Sequence, residues 1–241
     1  MANSKLPLFP TIGKVLKKSF AELYLSMGFT ILISLIWAIG YLLILLAITP
    51  VYYQLTTHKT DLRGIVVFGL LAATMINTLI AGPLTTTLYG FYQERKESYV
   101  SFKVFFQILR KVYWRSAGIH GLYWLVNTLL IFNVVSTSVN QNFLFKVSGL
   151  FSMYCVFFFG MMPFFFHPLL NLNQTVKATI RKSFLLLLDN FGISFWLNLV
   201  LFLLLMMSSV VPFVMVFLLL GYGAFLIYVI DYAFEMIWNK Y

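Results

Sequence analysis

Charge is what this chain has least of. Of 241 residues, 10% are Asp, Glu, Lys or Arg, against about 25% in soluble globular proteins. Hydrophobic residues make up 61% of the sequence, and the mean hydropathy is +0.90. No water-soluble fold hides that much apolar surface, and the same figures exclude a disordered, collagen-like or coiled-coil chain. The single cysteine, Cys155, excludes an internal disulfide and lies in an apolar run, where it reads as a small core residue. Carboxylates number seven. Glu22, Asp189, Asp231 and Glu235 fall at the ends of expected spans, and Asp61, Glu94 and Glu97 fall in connections. Ionisable residues at a bilayer midplane mark proton relays and ion paths, so their absence there argues against an ion-coupled pump. His58, His120 and His167 are the only histidines. Only His120 and His167 could approach one another, in an antiparallel hairpin, and two histidines are a poor zinc site, which wants three or four protein ligands. No HExxH, GxSxG, CxxC, GxGxxG or P-loop pattern occurs. No catalytic residue, cofactor or metal is expected.

What is present is a set of long charge-free windows. No Asp, Glu, Lys or Arg occurs in 23–58, 64–93, 116–145, 147–176 or 190–230. A transmembrane helix needs about 20 apolar residues. The first four windows hold one span each, and the fifth holds two, with turn chemistry at Ser208, Ser209 and Pro212. The expected fold is an all-α polytopic membrane protein, a single integral membrane domain over 1–241. Its six spans are placed at about 23–49, 65–91, 117–135, 147–170, 191–207 and 210–232. The first run is too long for a signal peptide and lacks a small-residue cleavage site, so no segment is expected to be removed.

Basic residues set the orientation. Fourteen Lys and Arg fall on the side of the two termini and three on the other side (Lys59, Arg63 and Lys146). The positive-inside rule then places both termini in the cytoplasm. The net charge of +10 is a membrane-orientation signal with attraction to anionic headgroups, not a sign of nucleic-acid binding.

Three segments share one spacing: Lys17-Lys18-Ser19-Phe20 before Gly28, Arg110-Lys111-Val112-Tyr113 before Gly121, and Arg181-Lys182-Ser183-Phe184 before Gly192. A polar residue follows six positions after each glycine: Ser34, Asn127 and Asn198. The implied unit is an amphipathic interfacial helix followed by a transmembrane hairpin, used three times in parallel. Residues 8–21, 101–115 and 173–184 have the apolar stripe and basic opposite face of helices lying in the headgroup plane, with Asn173 as the cap of the third. The second is the candidate partner-docking surface: Phe102, Phe105 and Phe106 lie on its aromatic face, and Arg110 and Lys111 on its basic edge. At membrane depth, Ser34, Asn77, Asn127 and Asn198 are the candidate polar contacts, expected to face the bundle because an unbonded amide is costly in lipid. Gly82-Pro83, Pro163 and Pro168 are expected to kink their spans.

The run Gly82-Pro83-Leu84-Thr85-Thr86-Thr87-Leu88-Tyr89, then Arg95, then the segment from Ser101-Phe102 to Trp114-Arg115-Ser116, resembles the YesL family of small bacterial membrane proteins of unknown function. The segment 163–190 resembles the second half of that family, and the likeness covers about 15–235. The resemblance implies a bacterial plasma membrane and association with carbohydrate ABC importers. It implies no catalytic residue. Three functions remain open. The leading expectation is a non-enzymatic accessory or assembly subunit of a transport complex, most plausibly a carbohydrate ABC importer, with membrane lipids and a permease-like membrane protein as partners. The alternative is a stand-alone transporter or channel for a small molecule or lipid. A membrane enzyme would have to use His120, His167 and Asp189, which lie near one interface.

Overall fold

The computed structural model describes residues 6–57, 62–97, 100–138, 142–210 and 218–241. Every regular element among them is helical. In chain order these are α1 (Leu8–Leu25), α2 (Met27–Thr57), α3 (Leu62–Ile76), a π turn (Asn77–Ala81), α4 (Gly82–Glu97), α5 (Phe102–Ser138), α6 (Phe143–Gly160), α7 (Pro163–Asn171), α8 (Val176–Asp189), α9 (Phe191–Val210), a second π turn (Leu218–Tyr222) and α10 (Gly223–Trp238).

Four stretches are long and apolar enough to cross a membrane: Gly69–Lys96, Phe102–Thr137, Phe143–Asn171 and Leu220–Trp238. Two bent pairs bring the number to as many as six if each pair is counted as one span. Leu8–Leu25 meets Met27–Leu42 at 102°, and Val176–Asp189 meets Phe191–Met207 at 94°. His58 and the turn expected to follow Ser208 and Ser209 fall at or beyond the limits of the described residues.

α10 is the hub. Of its span, 72% is buried inside the protein, against 22–39% for the three other single spans. Tyr228, Phe225, Phe165, Phe166 and Leu169 are among the fully enclosed side chains around it. Large apolar side chains such as Leu129, Phe151, Tyr154 and Phe202 point outward instead, as expected where the solvent is lipid. The two described ends of the chain lie at one end of the bundle. Leu8 packs on Gly192 at the start of α9, and the Tyr241 hydroxyl donates to Asp189 at 2.8 Å.

The two bends share one construction. α1 closes at Ser26 (φ −113°, ψ 35°), and α8 closes at Asn190 (φ −124°, ψ 31°). Ser26 donates to the Glu22 carboxylate at 2.8 Å, and Asn190 donates to the Leu186 carbonyl at 3.1 Å. Asn190 thereby competes with the helical ladder for a backbone carbonyl, Ser26 bonds a side chain one turn back, and each bend lies two residues before the repeat glycine. Counted back from that glycine, each copy also buries the same two positions: Val15 and Ser19, Ile108 and Val112, Thr179 and Ser183. The second copy departs in one respect. Its equivalent of Ser26 and Asn190 is Ile119, an apolar residue with no competing hydrogen bond. α5 therefore runs unbroken for 37 residues, about 55 Å at 1.5 Å per residue. The expected in-plane helix 101–115 is a rigid extension of the span at 117–135, not a separate element. α8 is capped by Thr175, which accepts from the Ala178 N–H at 3.3 Å, and not by Asn173. Asn173 instead takes a left-handed φ of 58° in the turn before it.

Two of the expected proline positions mark breaks in the helical ladder, whereas Pro168 lies inside α7 with no break of the helix there. The π turn absorbs Pro83 just inside α4, and Pro163 opens α7 after the break at Met161 and Met162.

Candidate functional site: a polar seam along α4

The run that begins Gly82-Pro83-Leu84-Thr85-Thr86 is helical, so residues three or four apart share a face. Gly82, Thr86, Tyr89, Gly90, Gln93 and Lys96 form one stripe, roughly 21 Å long at 1.5 Å per residue. α5, α7 and α10 each bring polar side chains to it.

At the open end sits Asp231 of α10, 4% exposed. Lys96 pairs with one of its oxygens. Gln93 and Tyr89 donate to the other, Tyr89 at 3.0 Å. The Lys96 ammonium also lies over the Tyr232 ring, 4.9 Å from its centroid. A lone carboxylate at this depth would be expensive to hold, and the cation and two donors offset that cost. A cavity of about 470 Å³ opens beside the pair, lined by Gln93, Lys96, Lys111, Asn171, Asp231 and Glu235.

One to two turns deeper lies a second cluster. Thr86 Oγ1 is 2.9 Å from His167 Nδ1 and 2.8 Å from Ser116 Oγ. The His120 and His167 rings stack at 5.4 Å between centroids, and His120 Nε2 is buried without a hydrogen-bond partner. Asn171 joins the two levels. It lines the cavity above and donates to the Thr86 and His167 carbonyls at 3.0 and 2.9 Å. Two glycines make these approaches possible. A Cβ at Gly82 would strike the His120 ring, and one at Gly90 would strike the Asn171 amide.

Chemically, the seam offers a salt-bridged carboxylate, a hydroxyl pair, two imidazoles and a linking amide in one line. It can bind a small polar group or hand on a proton. Among the described residues, no group of three His, Cys, Asp or Glu side chains is placed to hold a metal. Asp189 does not join the histidines. It is bound by Tyr241 at the α8–α9 bend, and His120, His167 and Asp189 do not form one cluster.

The residues singled out from sequence go to several places. Asn77, Asn127 and Asn198 each donate to a carbonyl of their own helix (Ala73, Tyr123 and Ser194, at 2.8–2.9 Å). Asn77 and Asn127 are buried, whereas Asn198 is half-buried. Ser34 is fully enclosed and accepts the Ala224 N–H at 3.0 Å, tying α2 to α10 just past the second π turn. Other side chains bridge helices inside the membrane. Thr74 meets Thr128 at 2.6 Å, Thr30 meets Tyr228 at 3.0 Å, and Asn133 donates to Ser152 at 2.7 Å. On the proposed docking surface, Phe102, Phe106, Arg110 and Lys111 are exposed, but Phe105 is not. It is 5% exposed and sits edge-on to Phe91, so it belongs to the core and is out of a partner's reach.

Sequence reading placed His120 and His167 near one another and missed the rest of the seam. Its signal was the helical spacing of 82, 86, 89, 93 and 96, which begins in the run that carried the family resemblance. Comparison with family models, with curated proteins and with solved structures finds no match to this chain.

Proposed function

We propose that this chain works in transport across a bacterial plasma membrane, without catalysis of its own, and that the α4 seam is where a small polar solute or a proton enters the bundle. One observation carries the reading: an enclosed carboxylate held by the ammonium of Lys96 at the rim is linked through Asn171 to a buried histidine pair within membrane-crossing helices. Such groups are costly in a membrane and are kept for binding or conduction. The excess of basic residues on the side of the termini supports a cytoplasmic mouth for the seam. The resemblance to the YesL family supports carbohydrate as the solute class.

A second reading, an accessory subunit of a carbohydrate ABC importer, draws on a different surface. Phe102, Phe106 and Trp114 are exposed on the extended part of α5, with Lys103, Arg110 and Lys111 beside them. Aromatic residues in such settings are frequent binding anchors.

One experiment separates the two. Purified protein in lipid vesicles is assayed for uptake of radiolabelled mono- and disaccharides, with and without an imposed pH gradient. Uptake above protein-free vesicles, lost in Asp231→Asn and His167→Ala, supports the seam as a pathway. Uptake equal to that of protein-free vesicles under both conditions contradicts it. The accessory reading then rests on recovery of a permease with the tagged chain and its loss in Phe102→Ala/Phe106→Ala.

A further inference from the structure

A second cavity, of about 400 Å³, lies between α5, α6, α7 and α8. It falls within the roughly 300–1,000 Å³ typical of small-ligand sites. Its walls are Leu122, Val126, Phe159, Phe166 and Phe184, with Arg181 the one charged residue among its lining. Phe166 lines it and also meets the His120 ring of the seam edge-on, at 5.9 Å between centroids. Along α5 the cavity runs from Ile119 to Asn127, about 12 Å at 1.5 Å per residue. The outer rim, Leu122 and Val126, is 49% and 39% exposed and faces the lipid.

Arg181 and Phe184 come from α8, which crosses α9 at 94°. If α9 spans, α8 lies along the membrane surface, and Arg181 sits at headgroup level over an apolar slot. Lys177, four residues earlier on the same helix face, is exposed beside it. Among the described residues the ion pair of Lys96 and Asp231 stands alone, so neither cation is neutralised by a carboxylate. An apolar slot open to lipid, capped by unpaired cations at headgroup height, is complementary to an amphiphile with an anionic head.

We infer that this cavity is a binding site for one anionic phospholipid. One acyl chain fills the slot along α5, and the headgroup phosphate lies under Arg181 and Lys177. The site stands apart from the α4 seam and holds whether or not the seam conducts.

The test is native mass spectrometry of the detergent-purified full chain. It is titrated with phosphatidylglycerol or phosphatidylcholine of matched chains, and with glycerol 3-phosphate as a chainless headgroup. The wild type is expected to retain one phosphatidylglycerol in preference to phosphatidylcholine and to hold no glycerol 3-phosphate. Arg181→Gln should weaken phosphatidylglycerol about fivefold, the equivalent of about 1 kcal/mol for one basic residue at the surface, and leave phosphatidylcholine unchanged. Val126→Trp fills the slot from its lipid-facing rim and should weaken phosphatidylglycerol at least tenfold. Leu122→Trp is the second filling variant should the first unfold. Equal retention of both lipids by the wild type, or wild-type binding by a folded filling variant, overturns the site. So does glycerol 3-phosphate binding as tightly as the lipid, which would mark a surface phosphate site instead.

Discussion

Asp231 shows how position along a helix can conceal environment. By sequence it marks the end of a span, the usual place for a carboxylate. In the fold it is enclosed, because α4 lays Tyr89, Gln93 and Lys96 over it from 135 to 142 residues away in the chain. Lys96→Ala leaves that carboxylate buried with its cation gone and should cost about 2 kcal/mol. Adding Asp231→Asn removes the stranded charge, so the double variant should lose less than the sum of the two single changes. Thermal unfolding in detergent reads both, and strict additivity would show that the pair is not coupled. The glycines give a sharper contrast. Gly82→Ala and Gly90→Ala force His120 or Asn171 to move and should each destabilise by about 1–3 kcal/mol. Gly13 has open space at its Cβ position, and Gly13→Ala on α1 should stabilise by about 0.5–1 kcal/mol. Equal effects at the three positions would mean that the close approaches at α4 do not constrain the fold.

At the scale of elements, the spans were legible because lipid imposes a length and an absence of charge, and both can be read locally. The bends at Ser26 and Asn190 were legible through the repeat. The continuity of α5 was not, because a basic, aromatic amphipathic stretch has the same composition whether it lies on the membrane or extends a span. The deciding residue is Ile119, where the other two copies carry a polar helix-breaker. The seam was illegible for another reason: its stripe lies on one helix, but the side chains that give the stripe meaning come from α5, α7 and α10. The α5 assignment predicts a depth profile. Spin labels at Lys103 and Arg110 in lipid nanodiscs should differ in immersion depth by about 10 Å, seven residues at 1.5 Å each. Labels at Lys14 and Lys17 on α1 should report similar depths. Equal depths at 103 and 110 would restore the in-plane helix.

For the whole molecule, the picture is a helical bundle centred on α10. A polar seam descends from the end that carries the two described ends of the chain, and an apolar slot lies between α5 and α8. On the proposed reading, the distribution of basic residues turns that end to the cytoplasm. A reporter active only outside the cell should be silent when fused after Tyr241 and active when fused near Lys59, and the opposite pattern would invert the molecule. The central claim is that the seam opens to water as part of a pathway and is not merely a polar core. Cys155 is the only cysteine, so a Cys155→Ala background gives a clean scan with a charged, water-soluble thiol reagent. Cysteine at Gln93, on the cavity wall, and at Ser116, fully enclosed beside Thr86, should both be modified, with Ser116→Cys reacting more slowly. Leu129→Cys, facing lipid, and Ile33→Cys, in the apolar core, should not react. If Ser116→Cys stays as silent as Ile33→Cys, the seam is dry and the transport account is contradicted.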